Sequence, residues 1–342
     1  MTNFTAPHRP SGFLGLLRTL LHLHRPALYI WAALVLLLSA LLLWLGGPLA
    51  DASAAAWRQS NCGLSHCSYD QAAIFHYKHV YMYATFAVLA VPVVIAAWAG
   101  AALMAPELEN GTAKLVWTQG VSPARWLAAK LTVPAVAVTA GTGLLILLHH
   151  LMWAASQDRI NTIKAWYDPP TFYTNGPVLV ALALVGLAAG VLAGLAWRRS
   201  LAALATAPLA VSMVWAALHA VLPHLWPTVT AVTSLDDGNG LPGDGITVGR
   251  GFLTSTGTRH PLTTDCGPYA QVPECRAVYN KLDAIGFYHE YHPAAHYWPL
   301  QLTATALLLV VTAALVLAAF RVFRASHTLN HVSDTASRSC RR

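Results

Sequence analysis

An all-α, polytopic membrane protein with six helical spans is the fold this sequence predicts, and three observations lead to it. Hydrophobic residues make up 56% of the 342 and charged residues 10%, far below the roughly 25% charge of a soluble domain. Six stretches supply the about 20 predominantly apolar residues that cross a bilayer. The charges behind the formal +7 lie near the ends of those apolar runs and form no basic stripe, so no nucleic-acid partner is expected. A backbone in lipid must close its own hydrogen bonds, which makes helices the expected solution.

Residues 1–26 come first, with Phe13, Leu14, Leu16, Leu17, Leu20 and Leu21 beside Arg18, His22, His24 and Arg25. Apolar residues at three- and four-residue spacing next to basic groups predict a helix lying in the membrane surface. Pro26 then breaks it from the first span. The spans are expected at 27–49, 80–104, 131–155, 177–197, 201–222 and 298–320, together forming a transmembrane domain over 27–320. The first span starts too late and runs too long for the h-region of a cleaved signal. Only Arg198, Arg199 and Ser200 separate the fourth and fifth spans, which reads as a tight hairpin. Gly186, Gly190 and Gly194 put a small-residue face on the fourth span, suited to close helix packing within the subunit or at a dimer seam. The stretch 223–297 is rich in Gly, Asp, Thr and Pro, residues that punctuate turns rather than build a core. It is expected to form a small lid, hardly an independent domain. Residues 321–342 form a tail.

Orientation follows from Lys and Arg, which cytoplasmic segments retain. With the amino terminus inside, 13 basic residues fall inside and 8 outside, and 11 of the 14 acids fall outside. The inside is then net +10 and the outside net −3, so both termini are expected in the cytoplasm. Cysteines point the same way. Cys62 and Cys67 fall in the first outside loop and Cys266 and Cys275 in the last, while Cys340 is inside. Two close pairs on the oxidising face fit disulfide chemistry, with a metal site from the same four thiols as the alternative.

The inside loop 106–130 carries the functional argument. Gly111 and Gly120 bracket a short segment with Leu115, Val116 and Trp117, an apolar surface outside the bilayer that calls for a docking partner. Ser122 followed by Pro123 reads as the N-cap and first residue of the third span. This loop resembles that of the type-2 ATP-binding-cassette exporter permeases of actinobacterial type. The resemblance rests on the acidic pair Glu107 and Glu109, the step Gly111-Thr112, the segment Trp117-Thr118-Gln119, and Arg125-Trp126-Leu127 with Lys130. The approach to the last span, from His292 to Gln301, is similar too, although His296 stands where an Arg is expected. The resemblance implies a coupling helix seated in a groove of a cytoplasmic ATPase subunit. Glu107 and Glu109 would then pair with basic groups of that subunit or with the surface helix, or merely cap and solubilise the loop. For Trp117 and Trp126, interfacial anchoring is the plainer role.

Absences set the energy source. No Gly-x-x-x-x-Gly-Lys-[Ser/Thr] occurs, so this chain has no phosphate loop; ATP and Mg would be held by the partner, with no cofactor on this chain. Ion-coupled carriers place ionisable side chains inside the membrane. The spans as drawn hold no Asp, Glu, Lys or Arg, which leaves His149, His150 and His219. His149 lies about 27 Å along the third span at 1.5 Å per residue, near the outer interface, where its side chain is expected to reach water. The run His289-Glu290-Tyr291-His292 lacks the final His of a zinc helix because Pro293 stands there, so no metal site and no enzyme activity are expected; His76 and His79 have nothing to fix them near that run. The expectation is therefore a multi-pass cell-membrane permease that is not itself an enzyme, working as a homodimer or with a similar permease on two ATPase subunits and exporting a hydrophobic or amphipathic substrate. The alternative is a membrane sensor or assembly subunit without transport activity.

Overall fold

The fold is that of a computed structural model, which describes residues 21–22, 24–60, 69–110, 122–235 and 244–339, with side chains except those of 123 and 326–339. Among the described residues, six helices are long and apolar enough to cross a membrane: Arg25–Ser60, Gln71–Glu109, Ala124–Ser156, Val178–Trp197, Ser200–His224 and Ala294–Ala325. They coincide with the six expected spans and overrun several of them. A helix of 39 residues is about 58 Å long at 1.5 Å per residue, nearly twice the roughly 30 Å hydrocarbon core. The overruns carry charge: Asp51 and Arg58 after the first span, Lys78 before the second, and Glu107 and Glu109 after it.

The first two spanning helices are interrupted. The first comprises α1 (Arg25–Trp44), a π-helical segment Leu45–Leu49, and α2 (Ala50–Ser60). The non-helical Gly47, with φ −106° and ψ −106°, and Pro48 mark the break, as expected for a wide turn beside a proline that donates no N–H. The second comprises α3 (Gln71–Leu89), α4 (Val91–Trp98), a π-helical segment Ala99–Met104 and α5 (Ala105–Glu109). Helix α6 (Pro123–Ser156) starts on Ser122, whose backbone is extended and whose side-chain oxygen accepts the N–H of Arg125 at 3.4 Å. Further on come α7 (Pro169–Thr174) and α8 (Val178–Trp197). Arg198, in the left-handed region at φ 51°, closes α8 by bonding its N–H to Gly194 O, and α9 (Ser200–Val221) starts at once. Arg198 and Arg199 alone join the two helices, the short connection read from the sequence.

The chain divides into two compact units. The first holds residues 1–163, 173–215 and 305–342. Its core runs from Leu38 and Leu42 of α1 through Tyr81 and Val88 of α3 to Leu145 of α6 and Leu179, Ala183 and Val191 of α8. Helix α8 is the most enclosed, with 78% of its most apolar window buried. The glycine face explains how. A Cβ on Gly186 would sit 2.5 Å from Pro92 O, and one on Gly190 would sit 2.6 Å from Ala99 Cβ. Only glycine lets the two backbones approach so closely. The stripe therefore packs α8 against the second span of the same chain.

The second unit holds 164–172 and 216–304, and here the structure corrects the expectation of a coreless lid. It contains β1 (Val229–Ser234), β2 (Ile246–Thr254), β3 (Arg259–Pro261), α10 (Pro273–Lys281) and β4 (Ala284–His292). The strands form an antiparallel sheet in the order β1-β4-β2-β3. Phe287 stands opposite Thr233 on one side and Phe252 on the other. Tyr279 of α10 lies edge-on to Phe252 and Phe287, with ring centroids 5.5 and 5.0 Å away. A core of Leu235, Phe252, Ala270, Tyr279 and Phe287 forms around the Cys266–Cys275 disulfide. Unit boundaries thus differ from the expected loop 223–297 by drawing in residues 164–172 and the ends of the flanking helices. Helix α11 (Tyr297–Ser339) completes the chain.

Candidate functional site

The segment singled out by sequence lies between α5 and α6. Of its residues, Gly111, Thr112, Trp117, Thr118 and Gln119 lie outside the described residues, as do Cys62 and Cys67. Glu107, Glu109, Arg125, Trp126 and Lys130 are described, and they surround the two ends of the segment.

Lys130 is the centre of this arrangement. Its side chain is fully buried and pairs with Glu107, which is 25% exposed. Its ammonium also donates to Leu103 O at 3.0 Å and sits 4.6 Å from the Trp126 ring centroid. Local sequence produces each contact. Trp126 and Lys130 are four residues apart on α6, hence neighbours on one helix face. Leu103 lies in the π-helical segment Ala99–Met104, three residues before Pro106, which has no N–H to return to the preceding turn. Glu107 follows on α5. A buried cation tolerates this position only because an anion, a carbonyl and an aromatic face together replace its water.

The node reaches further. Trp126 stacks on Phe323 of α11, ring centroids 5.6 Å apart and planes 19° apart. It is 2% exposed, so it is a packing residue rather than an interfacial anchor. Glu109 accepts from the backbone N–H of Ser200 at 3.3 Å and from its hydroxyl at 3.0 Å. That places a carboxylate at the start of α9, where the helix dipole favours it. His24 stands near Lys130 and Glu107. Burial pushes its imidazole below the ordinary value, the Lys130 charge pushes the same way, and Glu107 opposes both. Arg125 has an exposed side chain. The two ends of the 106–130 segment are thereby tied to each other, to the start of the fifth span and to the end of the last.

His149 does not reach water, contrary to the reading from its depth. It is fully buried, with Nδ1 2.6 Å from Asn175 Oδ1 and Nε2 3.0 Å from Thr85 Oγ1. An amide oxygen only accepts, so Nδ1 carries the proton and Nε2 accepts from Thr85. Nearby, Tyr77 donates to Ser156 Oγ at 3.1 Å. The helix crossings here are fixed by polar bonds between the second and third spans and the start of the fourth. The sequence signal for this was present in His149 and Asn175, but nothing in one chain pattern pairs residues 26 apart.

An apolar cavity of about 250 Å³ is lined by Phe86, Leu89, Pro92, Leu182, Val211 and Trp215 among others. It lies between the second, fourth and fifth spans. In the second unit, the His289-Glu290-Tyr291-His292 run sends its side chains to different partners. Glu290 pairs with Arg259, His289 bonds Thr247 Oγ1 at 3.0 Å, and His292 Nε2 donates to Pro223 O at 2.9 Å. Among the described residues no three His, Cys, Asp or Glu side chains converge as metal ligands.

The family described as ABC-2 membrane transporter related matches residues 32–223. No curated protein and no solved structure matches the chain.

Proposed function

The chain belongs to the ABC-2 membrane transporter related family, a multi-pass membrane transport component rather than an enzyme, and from that premise we propose that it is the permease subunit of an ATP-driven exporter. A separate cytoplasmic ATPase subunit, holding ATP and Mg, drives it. The 106–130 segment docks in that subunit, with Trp117 as the apolar anchor and Thr118, Gln119, Gly111, Thr112 and the exposed Arg125 around it. Two copies, or one with a similar permease, complete the pathway. Both termini face the cytoplasm, as the basic-residue bias favours.

The Lys130 node carries this reading. A docked segment can drive spans only if its two ends are fastened to them: Lys130 pairs with Glu107 across the two ends, Glu109 bonds the start of helix five and Trp126 stacks on helix six. The apolar cavity between spans two, four and five favours a hydrophobic or amphipathic substrate.

The test is co-purification of an ATPase subunit with the full-length chain, comparing wild type with Trp117→Ala and Arg125→Ala. The expected result is weakened capture and lower ATP turnover in both variants at unchanged permease yield. Unchanged capture and turnover in both would remove the coupling assignment. Orientation has its own check. A membrane-impermeant maleimide should reach Cys340 in inverted vesicles and not in intact cells, and the reverse would invert the reading.

A further inference from the structure

Two histidines of the second unit meet where its sheet is entered and left. The chain enters β1 from the turn Leu222–His224 and leaves β4 through the turn Ala294–His296. His292, the last residue of β4, is fully buried. Its Nε2 lies 2.9 Å from Pro223 O, and its Nδ1 lies 3.1 Å from His296 Nδ1. A carbonyl oxygen only accepts, so Nε2 carries a proton and the neutral ring keeps a lone pair on Nδ1. That lone pair accepts the Nδ1–H of His296. One chain of hydrogen bonds therefore joins the turn before the sheet to the turn after it. We propose that His292 and His296 form an acid-sensitive latch, closed while either ring keeps a lone pair on Nδ1 and opened when both rings are protonated.

Proton counting sets the direction. In the closed neutral pair each ring holds one proton, His292 on Nε2 and His296 on Nδ1. A first added proton goes to Nε2 of the half-buried His296, and the bond between the rings survives. A second must take the lone pair on His292 Nδ1. Two N–H donors then face each other with no acceptor between them, and two like charges repel at close range. The open pair thus binds more protons than the closed one, so falling pH favours opening. The surrounding elements supply little to offset that repulsion. Ile246 of β2 stands opposite His292. His224 after Pro223 and Asp244 before β2 are exposed, and Tyr297 opens α11. His289 and Glu290 of β4 are engaged by Thr247 and Arg259, and Asp168 by Thr171. Among the described residues, His292 is the one charge that acts on His296. The latch does not depend on ATP coupling or on the direction of transport.

The experiment follows backbone hydrogen–deuterium exchange of the full-length chain in phosphatidylcholine nanodiscs. Rates are compared at about pH 8 and about pH 5, between which imidazole changes charge, after correction for the intrinsic pH dependence of exchange. In the wild type, peptides covering 222–226 and 292–297 should exchange about tenfold faster at the lower pH, the worth of one lost hydrogen bond. Peptides covering 250–254 and 284–288 should keep their protection. His296→Gln should stay closed at both pH values, because its amide donates to the neutral His292 ring and, turned over, accepts from the protonated one. His296→Leu should be open at both. Equal protection of the two wild-type turns at the two pH values overturns the proposal, and that measurement needs no variant to fold. So does acid opening of equal size in wild type and His296→Gln, or acid loss of protection throughout the sheet.

Discussion

Lys130 shows how one side chain can be costly alone and stable in company. Removing the charge of its partner with Glu107→Gln strands a buried ammonium, and breaking such a pair costs about 3–5 kcal/mol. The Lys130 contacts to Leu103 O and Trp126 should hold the loss near the lower figure, read as a drop in melting temperature. Replacing both partners, as in Glu107→Leu with Lys130→Met, removes the stranded charge. The double variant should melt above Glu107→Gln, and a lower melting point would mean that the pair is not the dominant contact of Lys130. His24 adds a pH dependence of known sign. Its folded-state value lies below the ordinary 6.5, with desolvation and Lys130 lowering it and Glu107 raising it. The unfolded chain therefore binds more protons in the window below 6.5. Stability attributable to His24 is complete above that value and is lost as pH falls through the window. His24→Gln should flatten the dependence of melting temperature on pH just below 6.5, and an unchanged slope would sink this account.

At the scale of elements, α8 is defined by what its glycines permit. A Cβ on Gly190 would meet Ala99 Cβ at 2.6 Å and Ala96 O at 2.7 Å, and overpacking of this kind costs about 1–3 kcal/mol. Gly190→Leu should therefore reduce folded yield and melting temperature. Gly143 on α6 is the control. A Cβ there meets nothing within 4 Å, so Gly143→Ala should stabilise the helix by about 0.5–1 kcal/mol. Equal effects of the two substitutions would show that the close approach of α8 to the second span is not what the glycines serve. Much of this level was legible in the sequence. The glycine spacing announced a packing face, Ser122-Pro123 announced a helix start, and Arg198-Arg199-Ser200 announced a short connection between two helices, because each is a local pattern with a local cause. Glu107 against Lys130 was not legible. Its two halves belong to different helices, and the wide turns at 99–104 that set their register leave no local mark.

At the scale of the whole molecule, two units fold on different principles. The helical unit buries small and aliphatic residues between spans, while the second unit gathers a sheet, one helix and a disulfide around Tyr279. Closing the short loop from Cys266 to Cys275 is worth about 2–3 kcal/mol in the chain-entropy account. Cys275→Ser should open the 244–292 region to limited proteolysis and leave the helical spans protected. Equal protection with and without the disulfide would show that the sheet core suffices alone.

Hydropathy by itself determined the six spans, since the need to satisfy every backbone group in lipid leaves a long apolar run only one structure to adopt. The sheet of 229–292 was decided only in three dimensions. Its strands are short, and β1 must find β4 more than fifty residues away, so no local period records the pairing. The same reason hides the contacts of His149 and Lys130: the hydrogen bonds and charges that make them stable in the interior come from helices that are neighbours in space and strangers in sequence.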